Sequence, residues 1–267
     1  MDIDEFFRRL WQDYVAVTPQ AQRIHELFTT SGERVVNDHV AFRTFDHPGI
    51  DIHALEPALL ELGYRRLEPY TFTEKKLRAW SYRHPDADQP KIFFSELDTA
   101  ALSSTAQRII STLTRQLDLP HDAGPDHFWG GRPWPAPRWE DYATLRAESD
   151  YAAWVAALGL RANHFTVSVN HLRRTADMAA VVGLLKRHGF TLNRQGGEIK
   201  GSPAQRLEQA ATVADRMPVT FADNEVHATS TCYYEFARRY PLPGGELYQG
   251  FVAANADKLF HSTDLAD

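Results

Sequence analysis

Cysteine is nearly absent. A single thiol, Cys232, in 267 residues excludes an internal disulfide and any cysteine-built zinc site. Positive charge is not in excess: 29 Lys and Arg stand against 35 Asp and Glu, a formal net charge of −6, so electrostatics do not favour a nucleic-acid partner. No apolar run approaches the ~20 residues needed to span a bilayer. The opening Met1-Asp2-Ile3-Asp4-Glu5 lacks the charged and apolar regions of a secretion signal. Gly-rich phosphate loops, nucleophile elbows and two-histidine helical zinc motifs are missing as well. These absences leave the expectation of a soluble, cytoplasmic protein with no membrane partner. The length allows one large domain or two small modules sharing a core.

Histidine, by contrast, is plentiful, at twelve residues, and one of them opens an alternating strand, Asn37-Asp38-His39-Val40-Ala41-Phe42-Arg43-Thr44-Phe45. With a pleat of period two, His39, Ala41, Arg43 and Phe45 share one face and Val40, Phe42 and Thr44 the other. At ~3.3 Å per residue the Cα atoms of His39 and Arg43 lie about 13 Å apart. That spacing suits a small acid with one end on a metal at His39 and the other on Arg43. The planar fork of Arg43 matches a carboxylate better than a lysine would, although a structural ion pair on a sheet face explains it as well.

The strand has a second copy. Asn37-Asp38-His39 runs into its strand and then into a helix from Asp51 to Leu62, ending at Gly63-Tyr64. Asn163-His164-Phe165-Thr166-Val167-Ser168-Val169-Asn170 runs into a helix from Thr175 to His188, ending at Gly189-Phe190. Asp51 and Thr175 read as N-caps, Gly63 and Gly189 as C′ glycines. Two strand–helix units of nearly equal length, each opening with Asn and His, indicate a duplication. Strand-like stretches follow each helix: Glu68 to Phe72, Leu77 to Tyr82 and Lys91 to Phe94 in the first unit. In the second they are Thr191 to Arg194, Pro218 to Phe221 and Val226 to Phe236, with Asp223-Asn224 as a turn.

Each unit is therefore expected to be βαβββ, and the chain an α+β protein whose paired modules form a cupped mixed sheet with additional helices. Residues 1–267 are read as a single domain: N-terminal helices to about 32, module one about 33–99, a helical and loop insert about 100–160, module two about 161–240 and a tail 241–267. The N-terminal helices run Asp4 to Val17 and Pro19 to Thr30, with Thr18-Pro19 as cap and first-turn proline. In the insert, helices are expected from Ala100 to Leu117 and Asp141 to Leu158. The Pro/Gly/Trp-rich loop between them, Pro120 to Trp139, is too aromatic for a simple linker and is expected to pack over the fold.

His164 is the second candidate ligand. Its strand alternates apolar Phe165, Val167 and Val169 with polar His164, Thr166, Ser168 and Asn170, a pattern that fits an exposed outer face or a lined cavity. Two histidines and one carboxylate on a face leave three positions of a redox iron for substrate and oxygen. Glu235, at the end of the aromatic run Tyr233-Tyr234-Glu235, is the best third ligand, because an ionised carboxylate there needs a partner. Arg238 or Arg239 would serve as that partner if no metal did. Glu96 holds the comparable place in the first unit, with Glu225 and His227 as lesser competitors. Lys200 and Ser202 are expected in a solvated loop, and Cys232 is expected to be packed rather than nucleophilic.

Three of these segments, Asn37 to Phe45, Asn163 to Thr166 and Tyr233 to Arg239, resemble the 2-oxoadipate dioxygenase/decarboxylase family, earlier a domain of unknown function. That family belongs to the vicinal-oxygen-chelate (glyoxalase/extradiol dioxygenase-like) superfamily. The resemblance spans about Asn37 to Tyr240 and implies paired βαβββ modules around Fe(II). By motif, His39, His164 and Glu235 would be the iron ligands, and Arg43 would bind the carboxylate of a 2-oxo-dicarboxylic acid. The implied reaction takes 2-oxoadipate and O2 to 2-hydroxyglutarate and CO2, a step in lysine breakdown. In the family a C-terminal region helps to close the pocket; here Pro241 to Asp267 is expected as a short tail, leaving the pocket to another subunit or to a different 2-oxo acid. Two alternatives on the same fold are a glyoxalase-like isomerase or lyase, with Glu96 as a fourth ligand, and a non-catalytic module that binds a small acid. Oligomeric state is not encoded in any of these patterns.

Overall fold

The computed structural model describes residues 1–117 and 124–263. Helix α1 (Ile3–Val17) starts where the Asp2 carboxylate accepts from the Glu5 amide at 2.8 Å. Helix α2 (Pro19–Thr30) follows directly, with Pro19 in its first turn; Thr18 sits at the junction but makes no side-chain cap. Phe6, Leu10 and Tyr14, one helical turn apart, are the buried stripe of α1.

Module one is β1 (Asn37–Phe45), α3 (Ile52–Glu61), β2 (Arg65–Phe72), β3 (Leu77–Arg83) and β4 (Lys91–Leu97), the expected βαβββ. Asp51 caps α3 by accepting from the Ala54 amide at 2.7 Å, and Gly63 ends it at φ +92°. In the insert, the expected helix Ala100 to Leu117 is a one-turn 3-10 helix (Thr99–Ala101) followed by α4 (Ser104–Thr114). The expected helix Asp141 to Leu158 is two, α5 (Trp139–Glu148) and α6 (Asp150–Leu158). Ser149 breaks it, in extended backbone, and caps α6 by accepting from the Ala152 amide at 3.1 Å. The aromatic loop begins outside the described residues. From residue 124 on it packs inward as expected, with Phe128 edge-on to Phe6, Phe42 and Phe94 and the Trp134 indole donating to the Ala156 carbonyl at 3.0 Å.

Module two departs from expectation in four places. Its elements are β5 (Ala162–Ser168), α7 (Met178–Arg187), β6 (Lys200–Ser202), β7 (Leu207–Ala211), β8 (Arg216–Thr220), β9 (Val226–Ser230) and β10 (Tyr233–Arg239). Asp177, not Thr175, caps α7, accepting from Ala180 at 2.7 Å. The predicted strand Thr191 to Arg194 contributes only a single bridge, Leu192 to Thr212. The strand that pairs instead is Leu207–Ala211, whose Leu-Glu-Gln-Ala-Ala composition carries little β propensity and is held by its neighbours. The run Val226 to Phe236 breaks at Thr231-Cys232. Its first half forms a separate hairpin with β8 across Asp223 and Asn224, both at positive φ (58° and 61°).

The eight remaining strands form one mixed sheet in the order β2-β3-β4-β1-β5-β10-β7-β6. β1 and β5 are antiparallel at its middle, and each has a parallel partner outside it, β4 and β10. Across the seam Ala41 pairs with His164 and His39 with Thr166, so a local two-fold relation maps His39 onto His164. The apolar face of β5 and β10 packs on α1: Tyr14 lies 4.9 Å from Phe165 and 6.4 Å from Tyr234 between ring centres, and its hydroxyl donates to the Tyr233 carbonyl. The polar residues of both strands are thereby turned to the opposite face. The segment expected as a short tail carries α8 (Ala253–Phe260), which lies on that polar face.

Candidate metal centre

β1, β5 and β10 bring His39, His164 and Glu235 together, with one donor atom from each within 4.8 Å of the others. Glu235 Oε1 is 3.4 Å from His39 Nε2 and Glu235 Oε2 is 3.3 Å from His164 Nε2. The imidazoles stand nearly perpendicular, at 84°. Of the two readings of β5, the lined cavity holds, since every residue of the strand is buried.

The outer nitrogen of each ring is engaged. Asp38 Oδ1 lies 2.8 Å from His39 Nδ1, and Asn163 Oδ1 lies 3.1 Å from His164 Nδ1. Both oxygens accept, so the rings carry their protons on Nδ1 and turn the Nε2 lone pairs inward. The Thr166 hydroxyl, 3.1 Å from His39 Nε2, is a rotor that can turn away. Asp38 is clamped by Arg239, with Nε to Oδ2 at 2.7 Å and Nη2 to Oδ1 at 2.8 Å. Burial works against its charge, but Arg239 and His39 outweigh burial and hold the carboxyl well below its usual range. Gln209 Nε2 donates to Glu235 Oε1 at 2.7 Å.

Glu235 is 1% exposed. Arg239, one of the partners considered for it, is committed to Asp38, and among the described residues the ion-pair partners of Glu235 are the two histidines alone. Buried and facing two inward imidazole nitrogens, this carboxylate makes no ion pair with a lysine or arginine among the described residues. Burial, reinforced by His39 and Arg43, drives His164 well below its usual value, so its imidazole is neutral. Burial also opposes charge on His39, yet Glu235 and Asp38 together raise it; positive charge is favoured at this point. The donor set fits a divalent metal, and two nitrogens with one oxygen admit iron, manganese, cobalt or zinc.

Arg43 is buried on the same face of β1, and among the described residues it makes no ion pair. Its Nη1 donates to Thr263 Oγ1 at 3.3 Å, while Nε and Nη2 are buried without a hydrogen-bond partner. The rings of Tyr151, Trp154 and Phe260 surround it at 5.1, 5.3 and 5.4 Å. Arg43 and Phe260 separate two cavities. The inner one, about 30 Å³, is lined by the three candidate ligands with Phe93, Phe251 and Leu259 among others; the outer, about 230 Å³, by Lys75, Tyr151, His261 and Thr263 among others.

The competing carboxylates lie elsewhere. Glu96 accepts from the Ile52 amide at the start of α3 at 3.0 Å and pairs with Arg78 at 3.3 Å. The register shows why it is not the counterpart of Glu235: Glu235 pairs with Thr166, two residues after His164, and the residue paired two positions after His39 is Phe93. Glu225 and His227 pair with each other at 3.0 Å on the outlying hairpin. Lys200 is not in a solvated loop but fully buried in β6, donating to the Asn193 carbonyl at 2.6 Å, with burial pushing its amine down to about 8. Ser202 is spent locally, accepting from the Gln205 amide at 3.3 Å. Cys232 is packed as expected, and burial pushes its thiol up to about 12. Sequence reasoning gave no role to Asp38, Asn163, Gln209 or Phe251. A signal for the first two was present, since an amide or carboxylate directly precedes each ligand histidine.

Two modules joined edge to edge around a cluster of two histidines and one carboxylate that could hold a metal ion define a glyoxalase-like architecture. A glyoxalase-superfamily protein from Ralstonia eutropha shares the fold at a TM-score of 0.72 and 24% identity, over 91% of this chain and 83% of that one. The chain belongs to the 2-oxoadipate dioxygenase/decarboxylase family, whose model matches residues 6–119 and 126–262. It is 34% identical to the rice chloroplastic/amyloplastic 2-oxoadipate dioxygenase/decarboxylase over 97% of this chain and 79% of the relative. It is also similar to the rice hydroxyglutarate synthase solved in complex with 2-oxoadipate: TM-score 0.88, 31% identity, 97% of this chain and 91% of that one. Among the described residues no helix is long and apolar enough to cross a membrane.

Proposed function

We propose that the protein is an Fe(II)-dependent dioxygenase/decarboxylase that converts 2-oxoadipate and O2 to 2-hydroxyglutarate and CO2. The observation that carries this reading is the buried Glu235 carboxylate between two inward-facing histidines, its only ion-pair partners among the described residues. His39, His164 and Glu235 would hold the iron. Bound Fe(II) supplies the one-electron chemistry by which O2 reacts with a closed-shell acid.

The remaining work falls to the chain. Asp38 and Asn163 keep the Nδ1 protons in place, so both histidines present lone pairs. Gln209 fixes the rotation of the Glu235 carboxylate. Arg43 binds the distal carboxylate of the diacid with the two donors left unpaired, and so sets which carbon lies beside the metal. Phe93, Phe251 and Leu259 exclude bulk water from the inner cavity. The glyoxalase-like alternative needs a fourth ligand, and the equivalent position is held by Phe93 while Glu96 serves α3.

The test is anaerobic purification, addition of Fe(II), and oxygen-electrode traces with a panel of 2-oxo acids. Oxygen uptake matched by CO2 release with 2-oxoadipate is expected. Iron-loaded protein that consumes no oxygen with any 2-oxo acid overturns the proposal.

A further inference from the structure

The segment 241–263 crosses the polar face of the sheet and covers the inner cavity with Phe251, Ala256, Leu259 and Phe260. Its first ten residues are exposed or half-exposed, so its position depends on a few buried attachments. Two of them end on candidate metal ligands by separate routes.

The first route starts at Arg239. While Nε and Nη2 grip Asp38, Nη1 donates to the carbonyls of Tyr248 and Gly250 at 3.0 and 2.8 Å. Asp38 in turn holds His39 Nδ1. The ring of Phe251 fills the corner, 4.9 Å from the His39 ring and 5.4 Å from the Arg239 guanidinium. The second route starts at Asn255, a buried residue of α8. Its Nδ2 donates to Gln209 Oε1 at 3.2 Å, and Gln209 Nε2 donates to Glu235 Oε1. This relay has a direction: flipping the Gln209 amide would break both bonds at once. Gly201, at φ +82°, makes room for it, because a Cβ there would come within 2.5 Å of Asn255 Nδ2.

Closure has a cost that the cavity records. About 30 Å³ holds a metal ion or a water molecule, not a six-carbon diacid. Phe251, Leu259 and Phe260 must shift before such an acid can reach the ligands, and a shift of that segment pulls on both routes.

We propose that Arg239 and Asn255 are positioning residues that couple the closing segment to the metal centre, so that metal affinity and closure of the segment form one linked equilibrium. The inference rests on the reading that His39, His164 and Glu235 bind the metal. Linkage makes the coupling reciprocal: metal favours the closed segment to the same extent that closure strengthens metal binding.

The experiment uses the full chain with Zn(II) or Co(II) alone and reads two quantities. Amide hydrogen exchange over residues 248–260 is followed with and without metal, and the metal dissociation constant is measured by chelator competition for wild type and Asn255→Ala. Metal is expected to slow exchange across 248–260 in the wild type. Asn255→Ala is expected to bind metal about tenfold more weakly and to lose most of that added protection. Asn255→Asp, which sets an acceptor against Gln209 Oε1, should act in the same direction. Unchanged exchange on metal binding overturns the proposal without any variant, as does wild-type metal affinity in Asn255→Ala. Failure of the functional reading looks different: wild-type protein then binds metal and shows the coupling but takes up no oxygen with 2-oxoadipate. A wild type that binds no metal overturns both.

Discussion

The guanidinium of Arg43 stands 5.1 Å from the ring centre of Tyr151 with two of its donor nitrogens buried and unpaired. Unmet donors of a buried cation are costly to leave, and a carboxylate arriving from the metal side satisfies both. Arg43→Ala is therefore expected to raise KM for 2-oxoadipate by the loss of a charge-assisted pair, roughly 1.5–3 kcal/mol or about 10- to 150-fold. A 2-oxo acid without a distal carboxylate should be affected far less. Steady-state oxygen uptake with both acids measures this, and an unchanged KM for the diacid removes the role.

Glu235 and Glu96 separate in a ligand-removal experiment. Glu235→Gln keeps the shape and deletes the charge between the histidines, so metal affinity should fall at least roughly 100-fold, beyond the range seen for outer partners. Glu96→Gln should keep full occupancy and lose only some of the anchoring of α3. Metal content after dialysis decides between the two assignments.

Phe93 offers a gain-of-ligand test. Phe93→Glu sets a carboxylate at the register position equivalent to Glu235. The variant is expected to bind metal more tightly than wild type and to lose oxygen consumption, because a position needed by the substrate or oxygen is filled. Chelator competition and the oxygen electrode report the two changes separately.

Metal removal should also be visible in stability. A ligand that binds only the folded chain adds ~2.7 kcal/mol at a concentration 100 times its dissociation constant. Chelation with EDTA is thus expected to lower the melting midpoint, and added Fe(II), kept anaerobic, to restore it. A midpoint indifferent to both contradicts a metal bound at this buried site.

A pH dependence is expected far from the centre, at Glu33. Its carboxylate accepts from the amides of Arg173, Arg174 and Thr175 at 2.7, 2.7 and 2.9 Å. Burial opposes its charge, but these amides prevail and lower its pKa. A depressed carboxyl stabilises the fold above its unfolded value of ~4.3 and loses that stabilisation as pH falls through the folded value. Glu33→Gln should therefore cost about 2 kcal/mol at neutral pH, and the gap from wild type should close under acid conditions. Urea midpoints across pH test the sign; a gap that widens on acidification refutes it.

Much of the centre was legible because β1 and β5 repeat a pattern that only a two-faced strand explains. The pairing of His39 with His164 follows from that period and from the duplication, whereas the family resemblance singles out Glu235 as third donor, its place in an aromatic strand being equally served by an arginine partner. The illegible part has a common physical cause. Leu207–Ala211 takes its strand conformation from its pairing with β10, a tertiary effect that local propensity does not carry. Lys200 is buried because β6 lies at the edge of that sheet beneath α8, and the Gly-rich sequence around it looks like any surface loop. The role of residues 251–260 depends on where one short helix lands, and the amphipathic pattern of eight residues cannot say.

The three candidate ligands come from both modules, and the seam between β1 and β5 is what unites them. Neither module on its own presents the set, and Arg239 reaches Asp38 across 201 residues of sequence. Such distant pairings close late when a chain folds. A nascent or half-folded chain therefore does not yet assemble the three candidate donors. Metal bound there would report that the two halves have met in the correct register.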